Sequence, residues 1–161
     1  MVRCYHPPLF RLLRKIDPGV IAEGGLMERT NFEKLRVYRL SEKLADALWN
    51  IVTGWSYFER DTIGKRLVRA GDSIGANIAE GIGRGRFLDN RRFVRIARGS
   101  LNETKHWLRR AHKRGLLTAE QVSELKPILE QLAPMLNAYL NSIGPPPARV
   151  SSKSNKASAQ E

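Results

Sequence analysis

Residues 63–82 read IGKRLVRAGDSIGANIAEGI. Apolar residues recur in this stretch every three or four positions, which is the period of one face of an α-helix. The residues of that face are Ile63, Leu67, Ala70, Ile74, Ile78 and Ile82. Asp61 is a favourable N-cap residue and predicts that the helix begins there. Gly71 and Gly75 flank the apolar face. Because a glycine costs about 1 kcal/mol in a helix interior, we expect the pair to allow a neighbouring helix to approach closely.

A helix is also predicted on the N-terminal side of this stretch. Thr30 and Glu33 have the spacing of a capping box and predict a helix start at residue 30. Gly54 marks the approach to its end. The apolar repeat consists of Leu44, Leu48, Val52 and Trp55, with the small residues Ser41 and Ala45 on the same side.

Two further helices are predicted on the C-terminal side. The third begins near Asp89 and ends at Gly115, since glycine favours the left-handed conformation that terminates many helices. Its predicted core consists of Phe93, Ile96, Ala97, Ser100, Leu101, Thr104, Leu108 and Ala111. Thr118 and Gln121 form a second capping box, which starts the fourth helix. Its apolar residues are Val122, Leu125, Leu129, Leu132, Leu136, Tyr139 and Ile143.

Two prolines interrupt the pattern of the fourth helix. Pro127 and Pro134 each remove a backbone hydrogen bond, so we expect a bent helix. A break near Pro127 is the alternative that the sequence leaves open. No β-type alternation occurs, and the connections between the four helices are short. The predicted fold is therefore all-α, an antiparallel up-down-up-down four-helix bundle over residues 30–143.

The remaining segments flank this single domain. Residues 1–29 lack a steady period, and we interpret them as a disordered or mis-assigned extension, with translation starting at Met27. Residues 144–161 have the composition of a disordered tail. The single cysteine, Cys4, excludes an internal disulfide framework and fits a reducing cytoplasm. No run approaches the roughly 18 apolar residues that a membrane span requires, and no membrane association is predicted.

The charge of the chain is concentrated in one segment. The formal net charge is +12, which is typical of proteins that bind polyanions. Residues 84–115 carry eleven lysines and arginines against Asp89 and Glu103, so +9 of the total lies there.

Most of these cations share one face of the third helix. At about 100° per residue, a basic stripe lies within roughly 40° of one line. The stripe contains Arg91, Arg95, Arg98, Asn102, Lys105, Arg109 and Lys113, and Arg92, His106 and Arg110 broaden it. Such faces usually mix charges of both signs. The predicted nucleic-acid-binding residues are Arg91, Arg92, Arg95, Arg98, Lys105, Arg109, Arg110 and Lys113. An acidic protein partner or plain solvation would also account for the stripe.

A polar stripe follows the second helix. It contains Arg66, Arg69, Ser73, Asn77, Glu80 and Arg84. This stripe offers no histidine base and no activated nucleophile, so we interpret it as structural or as an interface and predict no enzymatic activity. His106 and His112 are six residues apart and therefore cannot form an i,i+4 metal pair. Neither a metal nor a cofactor is predicted.

The sequence also resembles a known family. Residues 73–84, SIGANIAEGIGR, and residues 99–103, GSLNE, together with Phe32, Leu35, Val37 and Tyr38, resemble a four-helix bundle family. The members of that family include proteins encoded in bacterial 23S rRNA intervening sequences. The resemblance implies a ring-shaped homo-oligomer, typically a pentamer. A related branch serves as the accessory protein of the reverse transcriptase in diversity-generating retroelements. Gly75, Arg66 and Lys105 depart from the residues that are frequent in the family, and the last two make this chain more basic.

Two functions follow as hypotheses. The first is a non-enzymatic, basic, oligomeric scaffold that binds nucleic acid, RNA rather than DNA, through the third helix. The alternative is an adaptor that docks an acidic protein such as a reverse transcriptase.

Overall fold

The computed structural model describes residues 31–144, which contain four helices and no strand. Helix α1 spans Arg36–Thr53. Helix α2 is α-helical over Tyr57–Glu59, π-helical over Arg60–Gly64 and α-helical again over Lys65–Gly83. Helices α3 and α4 span Phe87–Lys113 and Ala119–Ser142. The predicted N-terminal extension and all of the predicted tail except Gly144 lie outside the described residues.

The predicted start of the first helix is wrong. Residue 30 lies outside the described part of the chain, residues 31–34 form turns, and α1 begins at Arg36 without a side-chain cap. The amide of Leu35 donates to the carbonyl of Phe32 over 3.0 Å, and the Phe32 ring packs edge-on against Tyr38 at 4.9 Å. The turn that forms this aromatic contact delays the helix by about one and a half turns.

The predicted N-cap of the second helix is also wrong. Helix α2 begins at Tyr57, after Ser56, and Asp61 lies inside its π-helical turn. The carboxylate of Asp61 pairs with the ammonium group of Lys65 instead of capping the backbone. Residues 57–60 have little apolar periodicity, so the repeat that begins at Ile63 gave no sign of this first turn.

The other helix ends agree with the sequence. Gly115 has φ = +69°, and the amide of Leu116 donates to the carbonyl of Ala111 over 3.0 Å, which closes α3. The capping box of Thr118 and Gln121 is present at the start of α4. Helix α4 continues through Pro127 and Pro134, so the alternative of a break near Pro127 is wrong.

The core is formed by one buried face from each helix. Its members are Val37, Leu44, Leu48, Ile51, Val52, Leu67, Ile74, Ile78, Val94, Ala97, Leu101, Leu108, Leu125, Ile128, Leu132, Leu136, Leu140 and Ile143. Ile96 was predicted to belong to the core but is 42% exposed, whereas Val94, Ile128 and Leu140 were not predicted and are buried. The hydroxyl of buried Thr104 donates to the carbonyl of Ser100 over 2.8 Å, so its proton has a partner within α3.

Each helix packs against its neighbours in the chain, and α1 also packs against α4. Two glycines of α2 permit its close approach to α1. A β-carbon at Gly71 would lie 2.7 Å from Cδ1 of Leu48, and one at Gly75 would lie 3.1 Å from Oγ of Ser41. This is the close approach that the two glycines predicted. None of the helices in residues 31–144 is long and apolar enough to cross a membrane.

Candidate nucleic-acid interface

Helix α3 presents most of the predicted cations to solvent. Lys105 and Arg91 are half-buried, and the other six are exposed: Arg92, Arg95, Arg98, Arg109, Arg110 and Lys113. Arg110, His112 and Lys113 lie in the last turn, where cations interact favourably with the helix dipole. The helix dipole therefore stabilises the cations at that end of the stripe. It gives no stabilisation to Arg92, Arg95 or Arg98, which lie far from the last turn.

Arg91 differs from the rest because it holds the end of another helix. One terminal nitrogen of its guanidinium group donates to the carbonyls of Leu140 and Ile143, over 3.1 Å and 2.7 Å. The last carbonyls of a helix lack partners within that helix, so Arg91 caps the C-terminus of α4. The adjacent Asn90 donates to the Tyr139 hydroxyl over 3.1 Å. Arg91 thus joins the start of α3 to the end of α4.

The C-terminal half of the stripe borders a groove between α3 and α4, which we call the α3–α4 groove. Its volume is about 610 Å³. Its apolar floor consists of Leu108, Leu117, Val122, Leu125, Leu129 and Ala133. Lys105, Arg109 and Lys113 line it from α3, and Lys126 and Glu130 line it from α4. Arg98 is not part of the groove lining and donates to Oδ1 of Asn137 on α4 over 3.2 Å. The stripe therefore includes residues at the groove, a residue bound to α4, and exposed residues away from the groove, among them Arg92, Arg95 and Arg110.

Trp107 is held at the contact between α2 and α3. Its indole nitrogen donates to the Glu103 carboxylate over 3.2 Å. The guanidinium carbon of Arg66 lies 5.3 Å from the centre of its ring, within the range of a cation–π interaction. Glu103, the acidic residue in the middle of α3, is therefore engaged by its own helix.

The polar stripe of α2 forms contacts within α2 and toward α3. Ser73 donates to the carbonyl of Arg69 over 2.7 Å, and Asn77 donates to the carbonyl of Ser73 over 2.6 Å. Glu80 pairs with Arg84, whose guanidinium carbon lies 5.5 Å from the centre of the Phe93 ring. Arg66 and Arg84 thus connect α2 to aromatic residues of α3, whereas the side chains of Ser73 and Asn77 donate to backbone carbonyls within α2.

A second groove, between α1 and α2, was not predicted from the sequence. The α1–α2 groove has a volume of about 850 Å³, and Trp49, Val52, Tyr57 and Val68 line it. Trp49 is 59% exposed and Tyr57 is 76% exposed. Both aromatic residues fall outside the apolar repeats of their helices, and this position was the one sign in the sequence that they would be exposed. Asp72 also lines the groove, and its pKa is raised by burial and by the nearby charge of Asp46.

Comparison with known proteins identifies the family. Residues 33–138 match the family model described as 23S rRNA-intervening sequence protein. Comparison with curated proteins gives no match. A solved structure similar to this chain is the 1.70 Å crystal structure of a protein of unknown function, of the S23 ribosomal protein family, from Bacteroides thetaiotaomicron VPI-5482. The two chains are 24% identical, the likeness covers 66% of this chain and 96% of that chain, and the TM-score is 0.58. That likeness shows a shared fold, and the match to the family model covers well over half of the sequence. The chain belongs to the 23S rRNA-intervening sequence protein family.

Proposed function

We propose that the protein is a non-enzymatic, oligomeric scaffold in the cytoplasm that binds structured RNA through the exposed face of α3. The single observation that carries this proposal is the large excess of positive charge on that face. Arg92, Arg95 and Arg110 are exposed on it, and the one carboxylate in the middle of α3, Glu103, bonds to Trp107.

The electrostatic energy of the free protein supports a polyanionic ligand. Arg91 and Arg95 are four residues apart, as are Lys105 and Arg109, and Arg109 and Lys113. Like charges at this spacing destabilise a helix by a few tenths of a kcal/mol per pair. Phosphate groups would relieve this repulsion and release condensed counterions, which favours binding.

The form of the surface favours recognition by shape and charge. From Arg92 to Arg110 the helix rises about 27 Å at 1.5 Å per residue. Cations distributed over this length of the helix can contact the sugar–phosphate backbone of a helical RNA without reading its bases. The description of the family supports RNA over DNA as the ligand.

The scaffold is proposed to be an up-down-up-down bundle of antiparallel helices. A β-carbon at Gly64 would approach Val52, one at Gly71 would approach Leu48, and one at Gly75 would approach Ser41. Residue numbers therefore rise along α2 as they fall along α1. The start of α3 likewise meets the end of α4 through Arg91. These pairings support opposite directions for consecutive helices.

The scaffold is further proposed to assemble from several copies, as a pentamer if it follows the family. The exposed aromatic residues Trp49 and Tyr57 in the α1–α2 groove support a contact between copies, because aromatic residues are enriched in protein interfaces. Repetition of the α3 face around a ring would increase RNA affinity through multivalency.

The test is a titration of the full-length protein against a hairpin RNA and a duplex DNA at several salt concentrations. The test variant carries Arg92→Glu, Arg95→Glu and Arg110→Glu, which reverse three exposed charges away from the α3–α4 groove. Its matched control carries Arg36→Glu, Arg39→Glu and Lys43→Glu, which reverse three exposed charges on α1. Light scattering verifies that all three proteins keep the same assembly.

We expect the α3 variant to bind the RNA at least 100-fold more weakly than the control. The slope of log K against log salt should fall by roughly 0.7–0.9 for each phosphate group that the variant no longer neutralises. Equal weakening in both variants would show that only the net charge matters, and undiminished binding by the α3 variant would refute the proposed surface.

A further inference from the structure

We propose that the α3–α4 groove is a docking site for an amphipathic helix with acidic flanks, supplied by a protein partner. This function is separate from RNA binding, because the groove has an apolar floor that a sugar–phosphate backbone would not fill. Leu117, Val122, Leu129 and Ala133 are only half-buried there.

The dimensions of the floor match those of a helix. Along α4 the lining residues run from Val122 to Ala133, a rise of about 16 Å, or three turns. A helix lying in this groove would bury apolar side chains at positions i, i+3 or i+4, and i+7, which is the usual mode of helix recognition by an apolar groove. Two helices form the walls, so the occupant would complete a three-helix packing.

The charges at the edges specify an acidic occupant. Lys105, Arg109 and Lys113 lie along one wall, and Lys126 lies along the other. Glu130 is the acidic residue of the lining, and its carboxylate is 4.0 Å from the ammonium group of Lys126. Complementary charges at an interface steer association and suppress wrong partners, so glutamate or aspartate beside the apolar anchors would fit these walls.

The two terminal segments of this chain have the wrong charge for the groove. Residues 9–16, LFRLLRKI, carry Arg11, Arg14 and Lys15 and no acid. Residues 145–161 carry Arg149, Lys153 and Lys156 against Glu161. Charge complementarity therefore favours a partner protein over either segment of this chain.

The test uses the full-length protein and a fluorescein-labelled amphipathic peptide about 18 residues long, with leucines at helical spacing and glutamates beside them. One reference peptide has the same composition with the leucines shuffled out of register. Another has lysine in place of every glutamate. Fluorescence anisotropy should show that the leucine–glutamate peptide binds at least tenfold more tightly than either reference.

Two protein variants with matched controls assign the binding to the groove. Leu129→Asn should weaken it at least tenfold, whereas Ile96→Asn, an equivalent change at an exposed apolar residue outside the groove, should leave it unchanged. Lys126→Glu should weaken binding of the glutamate peptide and strengthen binding of the lysine peptide. Lys43→Glu makes the same charge change on α1 and should leave the affinity for both peptides unchanged.

Three results would overturn the proposal. They are equal binding of the shuffled peptide, equal effects of each variant and its control, and a smaller assembly caused by Leu129→Asn with peptide binding intact. The last result would show that a second copy of this chain occupies the groove. The outcome is independent of the RNA titration, since Arg92, Arg95 and Arg110 do not line the groove.

Discussion

A β-carbon at Gly81 would lie 2.8 Å from Oδ1 of Asn90, 3.0 Å from Cβ of Phe93 and 3.3 Å from Cα of Asn90. The last two of these atoms belong to or adjoin the backbone of α3 and cannot rotate away. Gly99, inside α3, has no such neighbour within 4 Å. The same substitution should therefore have opposite effects at these two residues.

We expect Gly81→Ala to lower the free energy of unfolding by about 1–3 kcal/mol through overpacking. Gly99→Ala should raise it by about 0.5–1 kcal/mol, because alanine has the higher helix propensity. Urea denaturation at one fixed protein concentration measures both, since the stability of an assembling protein depends on concentration. Destabilisation by both substitutions would contradict the difference in packing between Gly81 and Gly99.

Tyr38 is a second residue whose surroundings give a measurable effect. Burial, followed by its hydrogen bond and charge interaction with Glu42, raises the pKa of the Tyr38 hydroxyl from 10.0 to about 12. The folded protein therefore keeps this proton at a pH at which the unfolded chain loses it. The stability that depends on the neutral hydroxyl is complete below pH 10 and is lost as the pH rises toward 12.

Tyr38→Phe has no such proton. We expect the wild-type protein to lose stability relative to this variant between about pH 10 and pH 12. Ultraviolet difference absorbance should show phenolate formation at Tyr38 only in that upper range. Ionisation of Tyr38 together with fully exposed tyrosines would contradict the assigned burial.

At the scale of the helices, Arg91 is the residue that separates the basic stripe into two roles. Its guanidinium group caps α4, whereas Arg95, one turn later, is exposed. Arg91→Met should lower the free energy of unfolding by about 1–3 kcal/mol, since it leaves carbonyls without a charged donor. Arg95→Met should change stability by less than about 0.5 kcal/mol.

The effects on RNA binding should be reversed. Arg95→Met should weaken RNA binding more than Arg91→Met does. Amide hydrogen exchange at the end of α4 should accelerate only in Arg91→Met. A uniform effect of both variants on RNA affinity would mean that the cap leaves Arg91 free to bind phosphate.

The helices themselves were largely predictable, because their apolar period and two of their end signals are local in sequence. The capping box at Thr118 and the left-handed Gly115 use residues that lie within a few positions of each other. The start of α1 was not predictable, because it depends on the contact between Phe32 and Tyr38. Val94 is buried and Ile96 is exposed because they lie on different faces of α3, and the sequence alone did not show which face its neighbours cover.

The candidate site was predictable in part for the same reason. The side chains that share one helix face follow from the sequence, so the exposed cations of α3 could be named. Which of these cations cap α4, line the groove or lie on the outer surface could not be predicted. Arg91 contacts residues about 50 positions away in the sequence, and the α3–α4 groove depends on the packing of two helices.

At the scale of the whole molecule, the exposed aromatic residues of the α1–α2 groove should control assembly. We expect Trp49→Glu combined with Tyr57→Glu to reduce the molar mass measured by light scattering. RNA affinity should fall at least tenfold with it, since a smaller assembly loses multivalency. Leu88 is 77% exposed on α3, so Leu88→Glu serves as the control and should preserve the assembly. Dissociation by Leu88→Glu alone would place the contact between copies at the start of α3 instead.

The π-helical turn at Arg60–Gly64 determines where Tyr57 points. A π-helical turn contains one more residue than an α-helical turn, and one residue corresponds to a rotation of about 100°. In an uninterrupted α-helix, Tyr57 would lie about 80° around the axis from the buried Leu67, whereas the extra residue places it nearly opposite. If the same residues formed only α-helical turns, Tyr57 would therefore lie toward the flank of the core. The presentation of this aromatic ring to solvent thus depends on the length of a single helical turn.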